Sequence, residues 1–219
     1  MYSSEPFYPI PVIPSFVPAT WDNTKMSANL VLDSTKLITT QTNNIGTYAG
    51  VLSTKSFALR RVYFEIQITA FTNVNTNTMG FGDITWPLNI YLGNDHHTFG
   101  YVHATGQLLT GNVSPLTIQT AAVGNWTGFA IDCSSPTAAV VWIKNITTNS
   151  GWNNDILANQ NPAVGSQVGG LDAGPYLTPN TAGPFFIAAE SANINDSYTL
   201  NAGGSPYAIG TPPNGFFSV

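Results

Sequence analysis

Charge is what this 219-residue chain lacks most: Asp, Glu, Lys and Arg together make 8% of it, against about 25% in a typical soluble domain. The Asn, Thr, Ser and Gly residues must therefore keep its surface wet. With a formal net charge of −5 and Arg60-Arg61 as the one adjacent cationic pair, there is no basic stripe, and nucleic acid is not expected as a partner. A single cysteine, Cys133, excludes an intramolecular disulfide framework. It sits in the apolar run "TGFAIDCSSP", where a free thiol is expected to pack as a small hydrophobe. No stretch approaches the ~20 consecutive apolar residues of a membrane span. The N-terminus also lacks the cationic and apolar regions of a secretory signal, so neither membrane insertion nor Sec export is expected.

Carboxylates are as scarce as charge. The glutamates are Glu5, Glu65 and Glu190, and no strand carries the paired acids that glycoside hydrolysis sets roughly 5 to 9.5 Å apart across a cleft. Cys133 has no local base, and no nucleophile elbow is present. An enzyme is not expected, and neither is a cofactor. The histidines are His96, His97 and His103, so a metal site would have to be assembled from "NDHHTFGYVH" with Asp95. Adjacent histidines in a strand would point to opposite faces, and no second donor cluster supports them. No metal is expected.

What the chain has is β signal. Helical periodicity is missing throughout, while short alternating runs recur between turn residues from Trp21 onward. "NLVLDSTKLITTQT" reads as a hairpin turning at Asp33-Ser34. "RRVYFEIQITAF" sets Val62, Phe64, Ile66 and Ile68 on one face and Tyr63, Glu65, Gln67 and Thr69 on the other. Further strands are expected at "MGFGDI", "NIYLG", "FGYVHATGQLLTG", "WTGFAIDCS", "AAVVWIKNI", "FFIAAES" and "SYTLNAG". Gly82-Asp83, Gly93-Asn94, Ser135-Pro136 and the Asn- and Gly-rich 149–155 segment supply the turns. Many short strands with such turns give an all-β sandwich.

Residues 1–19 are a separate unit, with Pro6, Pro9, Pro11, Pro14 and Pro18 interleaved with Phe7, Tyr8, Ile10, Ile13 and Phe16. Proline fixes φ and removes donors, so this arm is extended rather than helical. Being apolar, it should lie against a surface, either its own sandwich or a neighbouring subunit. Residues 20–219 form the sandwich.

Several motifs, taken in order, carry a family resemblance. "TWDNTKMSANLVLDSTKLITTQ", "RRVYFEIQI", "MGFGDI", "TFGYVHATGQLLTGN", "AAVGNWTGFAIDCSSPTAAVVWIKN" and the closing "DSYTLNAGGSPYAIGTPPNGFFSV" resemble the successive strands of SPRY-like, concanavalin-type sandwiches carried by tailed-bacteriophage proteins. Asp132 matches the strand-end aspartate and Lys144-Asn145 the "KN" turn of that pattern. Gly124-Asn125 and Ile146 depart from it at two turns. The resemblance implies an antiparallel, jelly-roll-like sandwich with a non-catalytic role as a virion structural or accessory protein. It would be assembled in the host cytoplasm and placed as capsid decoration or as a tail or fibre component. Other virion proteins would then be held through the arm, and a host surface glycan or receptor, or further copies of the chain, are the remaining candidate partners. The alternative is a free carbohydrate-binding lectin.

Carbohydrate binding needs aromatic faces beside amides, and Trp86, Tyr91, Tyr101, Trp126, Trp152 and Tyr176 are the available rings. Trp126 and Trp142 lie in apolar strands and are expected in the core. Trp86, in the 84–97 segment with Asp95, His96 and His97, and Trp152, in 149–155, are expected nearer the surface. Those two loops are the candidate ligand loops. Against that, each tryptophan taken singly is expected rather to plug the end of its own sandwich.

Overall fold

The computed structural model describes residues 16–43, 48–72, 77–155, 161–164, 170–177 and 183–219. Two seven-stranded antiparallel sheets face each other. The first runs, edge to edge, β1 (Trp21–Met26), β4 (Ala49–Phe57), β13 (Phe185–Ser191), β6 (Thr78–Gly82), β7 (Thr98–Val102), β8 (Gln107–Thr110) and β9 (Val113–Thr117). The second runs β12 (Leu171–Asp172), β11 (Ala138–Asn145), β10 (Trp126–Ser135), β5 (Arg61–Ala70), β14 (Ser197–Asn201), β3 (Ile38–Gln41) and β2 (Leu30–Leu32). The expected all-β sandwich is what the chain forms.

Strand alternation decides which side chains meet between the sheets. Val62, Phe64, Ile66 and Ile68 of β5 point inward, and so do Phe129 and Ile131 of β10 and Tyr198 and Leu200 of β14. Opposite them, Phe57, Phe81, Phe99 and Phe185 form an aromatic layer, with Phe81 stacked on Phe99 at 5.2 Å and Phe64 on Phe129 at 5.0 Å. Cys133 is buried in this core and donates to the Arg60 carbonyl, and burial raises its thiol pKa.

The expected "FGYVHATGQLLTG" strand is two strands, β7 and β8, because Gly106 at φ +78° closes a tight turn between them. "NIYLG" is not a strand. Its Ile90 and Leu92 pack down onto Leu52 and Ala188 as part of a loop crossing the outer face of the first sheet.

The chain ends meet. The Ala19 N–H donates to the Val219 carbonyl at 2.8 Å, and both residues are buried in the core. The sandwich therefore begins at about Ala19, and Phe7, Tyr8, Ile10 and Ile13 of the arm lie outside the described residues. Phe16 is described and is 55% exposed. Its ring sits under the Lys55 ammonium at 5.3 Å, and the same ammonium donates to the Val17 carbonyl. Phe16 and Val17 thus touch β4 just before the sandwich begins.

Candidate functional site

Both outer sheet faces carry covers made by the chain itself, and these covers account for the candidate ligand loops. On the first sheet, Gly50 of β4 has no side chain where Trp86 needs room: a Cβ there would lie 2.3 Å from the indole. Trp86 fills that hole and is 2% exposed, packed with Leu52, Leu92 and Ala188. This corrects the expected surface position, since burying a large apolar ring outweighs leaving its N–H without a partner. Around it the loop is stapled by its acids. Asp83 accepts from the Thr85 N–H and hydroxyl and pairs with His97 Nδ1 at 2.8 Å. Asp95 accepts from the His97 N–H and the Thr98 hydroxyl. The hydrogen bond and charge of Asp83 raise the His97 pKa.

His96 and His97 lie in a turn rather than a strand, and they face different partners. Exposed His96 Nδ1 meets the Tyr176 carbonyl at 2.8 Å, while His103 is buried against Phe71. Burial pushes the His103 pKa down to about 4. No group of three or more metal-donor side chains comes together among the described residues.

On the second sheet, the cover is the closing segment after β14. Glu65, on the outward face of β5, is fully buried beneath it and accepts from the Ala208 and Ile209 N–H groups and the Tyr63 hydroxyl. Desolvation there raises the Glu65 pKa. Tyr207 and Phe216 pack on Tyr63 and Trp142, the Tyr207 ring 4.9 Å from that of Tyr63. Trp152 packs against the same cluster, edge-on to Tyr63 at 6.5 Å, and remains partly exposed. The neighbouring Asn153, left-handed at φ 47°, is the residue that composition did not single out. Its buried amide accepts from the Ile143 N–H and donates to the Val141 carbonyl, closing part of the β11 edge.

The covers stop short of one strip. Across four strands of the second sheet, Trp126, Gln67, Thr199 and Ile38 lie in register on the outer face, each partly exposed. Beside them a cleft of about 190 Å³ is lined by Leu37, Trp126, Thr199, Asn201, Ser205 and Pro206. Trp126 is thus only half-buried, not core, because it opens β10 beyond the end of the closing segment. Thr199 shares a 2.7 Å hydroxyl contact with Thr69, Gln67 donates to the Gly124 carbonyl, and Asn201 braces the turn by accepting from the Gly203 N–H. Among the described residues, no charged side chain lines the cleft. Strand alternation marked Gln67 and Thr69 as outward; nothing local showed that Trp126 would be left uncovered beside them.

The acids are absorbed elsewhere. Asp22 and Asp33 staple surface turns, Asp132 pairs with Arg61 at 2.8 Å, and Asp172 accepts from the Gly174 N–H. Asp196 gathers the Thr72 and Asn193 N–H groups and the Asn77 amide. Glu190 is fully buried, accepting from the Thr78 hydroxyl, and desolvation raises its pKa well above the ordinary range.

No protein-family model matches the chain, and no curated protein matches it in sequence. Solved structures do match in shape. A human SPRY domain superposes with a TM-score of 0.58 at 15% identity, covering 81% of this chain and 97% of its own. The SPRY domain of human HERC1 gives 0.57 at 12%, covering 84% and 99%. The TRIM65 PSpry domain gives 0.52 at 11%, covering 84% and 92%. The sandwich of this chain is therefore a SPRY-type fold.

Proposed function

We propose that this chain is a non-catalytic binding module of a tailed-phage particle, held by its N-terminal arm and displaying the sandwich as capsid decoration or as a tail or fibre component. The observation that carries the binding reading is the disposition of charge. Every carboxylate whose side chain is described accepts hydrogen bonds from its own scaffold, and an uncharged, partly apolar strip is left open. Such a surface suits recognition better than proton transfer. The particle assignment rests on the sequence resemblance to phage sandwiches, and the SPRY-type fold supports its structural half. The exposed His96 turn belongs to the proposed display surface, whereas buried Trp86 does not.

Mass spectrometry of purified particles tests the assignment. The protein should be present in the wild type and lost when residues 1–15 are deleted, while the truncated protein stays folded. Wild-type occupancy after that deletion would remove the arm from its anchoring role. The Trp126 strip favours a second reading, a free carbohydrate-binding lectin; glycan binding by a protein absent from particles would select it.

A further inference from the structure

We infer that the strip formed by Trp126, Gln67 and Thr199, with its adjoining cleft, is a binding site for a neutral oligosaccharide. The inference rests on the reading of the sandwich as a non-catalytic binding module and names its ligand class.

Trp126 stands at one end of an in-register row and lines the cleft, whose apolar lining also includes Leu37 and Pro206. An apolar platform of this kind accepts the C–H face of a pyranose ring, as aromatic side chains bury large area at little entropic cost. Along the same row stand the Gln67 carboxamide and the Thr199 hydroxyl, with the exposed Thr69 hydroxyl in contact with the latter. Gln67, partly exposed in that row, donates its Nε2 to the Gly124 carbonyl, and a carboxamide offers both donor and acceptor atoms. The Thr69 and Thr199 hydroxyls are each both donor and acceptor. Sugar hydroxyls need this mixture of roles, and a carboxylate or ammonium would impose one sign.

The charge complement is neutral. Among the described residues, the cleft lining contains no Asp, Glu, Lys or Arg, and an ionic ligand would lose its hydration there without a partner. A second site element is the turn at 203–206, where Asn201 accepts from the Gly203 N–H and donates to the Pro206 carbonyl. That bracing fixes the cleft wall before a ligand arrives, which lowers the ordering cost of binding. The open strip is one row and one small cleft, so a chain of a few sugar units matches it better than a protein face of about 800 Å².

The test is titration of the full-length protein with maltoheptaose, cellopentaose and chitopentaose, and with a sialylated oligosaccharide as the charged control, followed by calorimetry and product analysis. At least one neutral probe should bind saturably, the charged control should not, and Trp126→Ala should weaken binding at least about tenfold. Thr199→Val, a near-isosteric change on a partly exposed position, should weaken it several-fold with an unchanged melting temperature, which keeps the inference testable should Trp126→Ala fold poorly. Absence of binding to every neutral probe would overturn it, as would full affinity in the Trp126→Ala and Thr199→Val proteins or preference for the sialylated control. Shortening of a probe would instead overturn the non-catalytic reading, so the two failures are distinguishable.

Discussion

Single residues decide whether this sandwich keeps its covers. Gly50 and Trp86 are one unit, a hole and its plug, because the indole occupies the space a Cβ at Gly50 would need. Trp86→Ala should cost about 3 to 5 kcal/mol, as large aromatic deletions from buried sites do. Gly50→Ala should expel the ring and destabilise by a comparable route, and chemical denaturation of both single variants and the double variant should show strong non-additivity. Glu190 and His103 make a second residue-scale case, with Asp196, Tyr198 and Tyr48 as the titratable groups coupled to them. The folded pKa of Glu190 lies above its ordinary 4.5, so above that pH the native state holds the extra proton and stability falls as pH rises. For His103, lowered to about 4 from 6.5, the unfolded chain holds the extra proton within that window, so stability rises with pH there. The two slopes oppose each other between 4.5 and 6.5. Melting temperatures measured upward from about pH 5 should therefore lose part of their downward trend with pH in Glu190→Gln relative to the wild type. Parallel curves would show that Glu190 does not titrate in that range.

At the scale of elements, a buried carboxylate clamps the closing segment to the second sheet, beside the backbone bonds between Phe217 and β5 and the Tyr207 hydroxyl's bond to the Tyr63 carbonyl. Glu65 accepts two backbone N–H groups from Ala208 and Ile209. Replacing it with Gln turns one acceptor into a donor facing a donor. Glu65→Gln should cost about 1 to 3 kcal/mol, and hydrogen exchange at Ala208 and Ile209 should accelerate more than in the core strands β5 and β10. Uniform acceleration would mean that the cover and the sheet open together. Strands such as β5, β10 and β11 were legible because their alternation or apolar runs are local signals. β4 was not, although all of Ala49 to Ser53 is buried. Its Gly50 and Ser53 look like turn residues, yet they serve the Trp86 hole and accept the Ile187 N–H. The opposite error fell on "NIYLG", whose apolar residues cover a sheet instead of joining one. The same limit applies to the candidate site: which outward residues stay open depends on where the closing segment ends, a long-range fact that no window around Trp126 contains.

For the whole molecule, the shortage of charge and the neutral strip have one cause. The few acids are drawn into turns, loop staples and segment clamps, where backbone N–H groups compensate their desolvation, so the polar groups left facing solvent are mostly hydroxyls and amides. Closure of the chain is equally global. Ala19 pairs with Val219, Pro18 lies against Gly204, and Trp21 is fully buried at the start of β1, so the first residues after the arm hold the last residues in place. This sets a sharp boundary for truncation. Removal of residues 1–15 should shift the melting temperature by no more than ~2 °C, since an exposed Phe16 and the Lys55 bond to Val17 are retained. Removal through Trp21 deletes two fully buried core side chains and the Ala19–Val219 bond. That should lower the melting temperature by roughly 10 °C or more for a domain of this size, and should speed exchange at Phe217 and Val219 as strongly as at β1. If both truncations melt alike, the boundary is not at Ala19: a large loss in both would place the arm within the sandwich's own core, and a small loss in both would make the meeting of the chain ends dispensable.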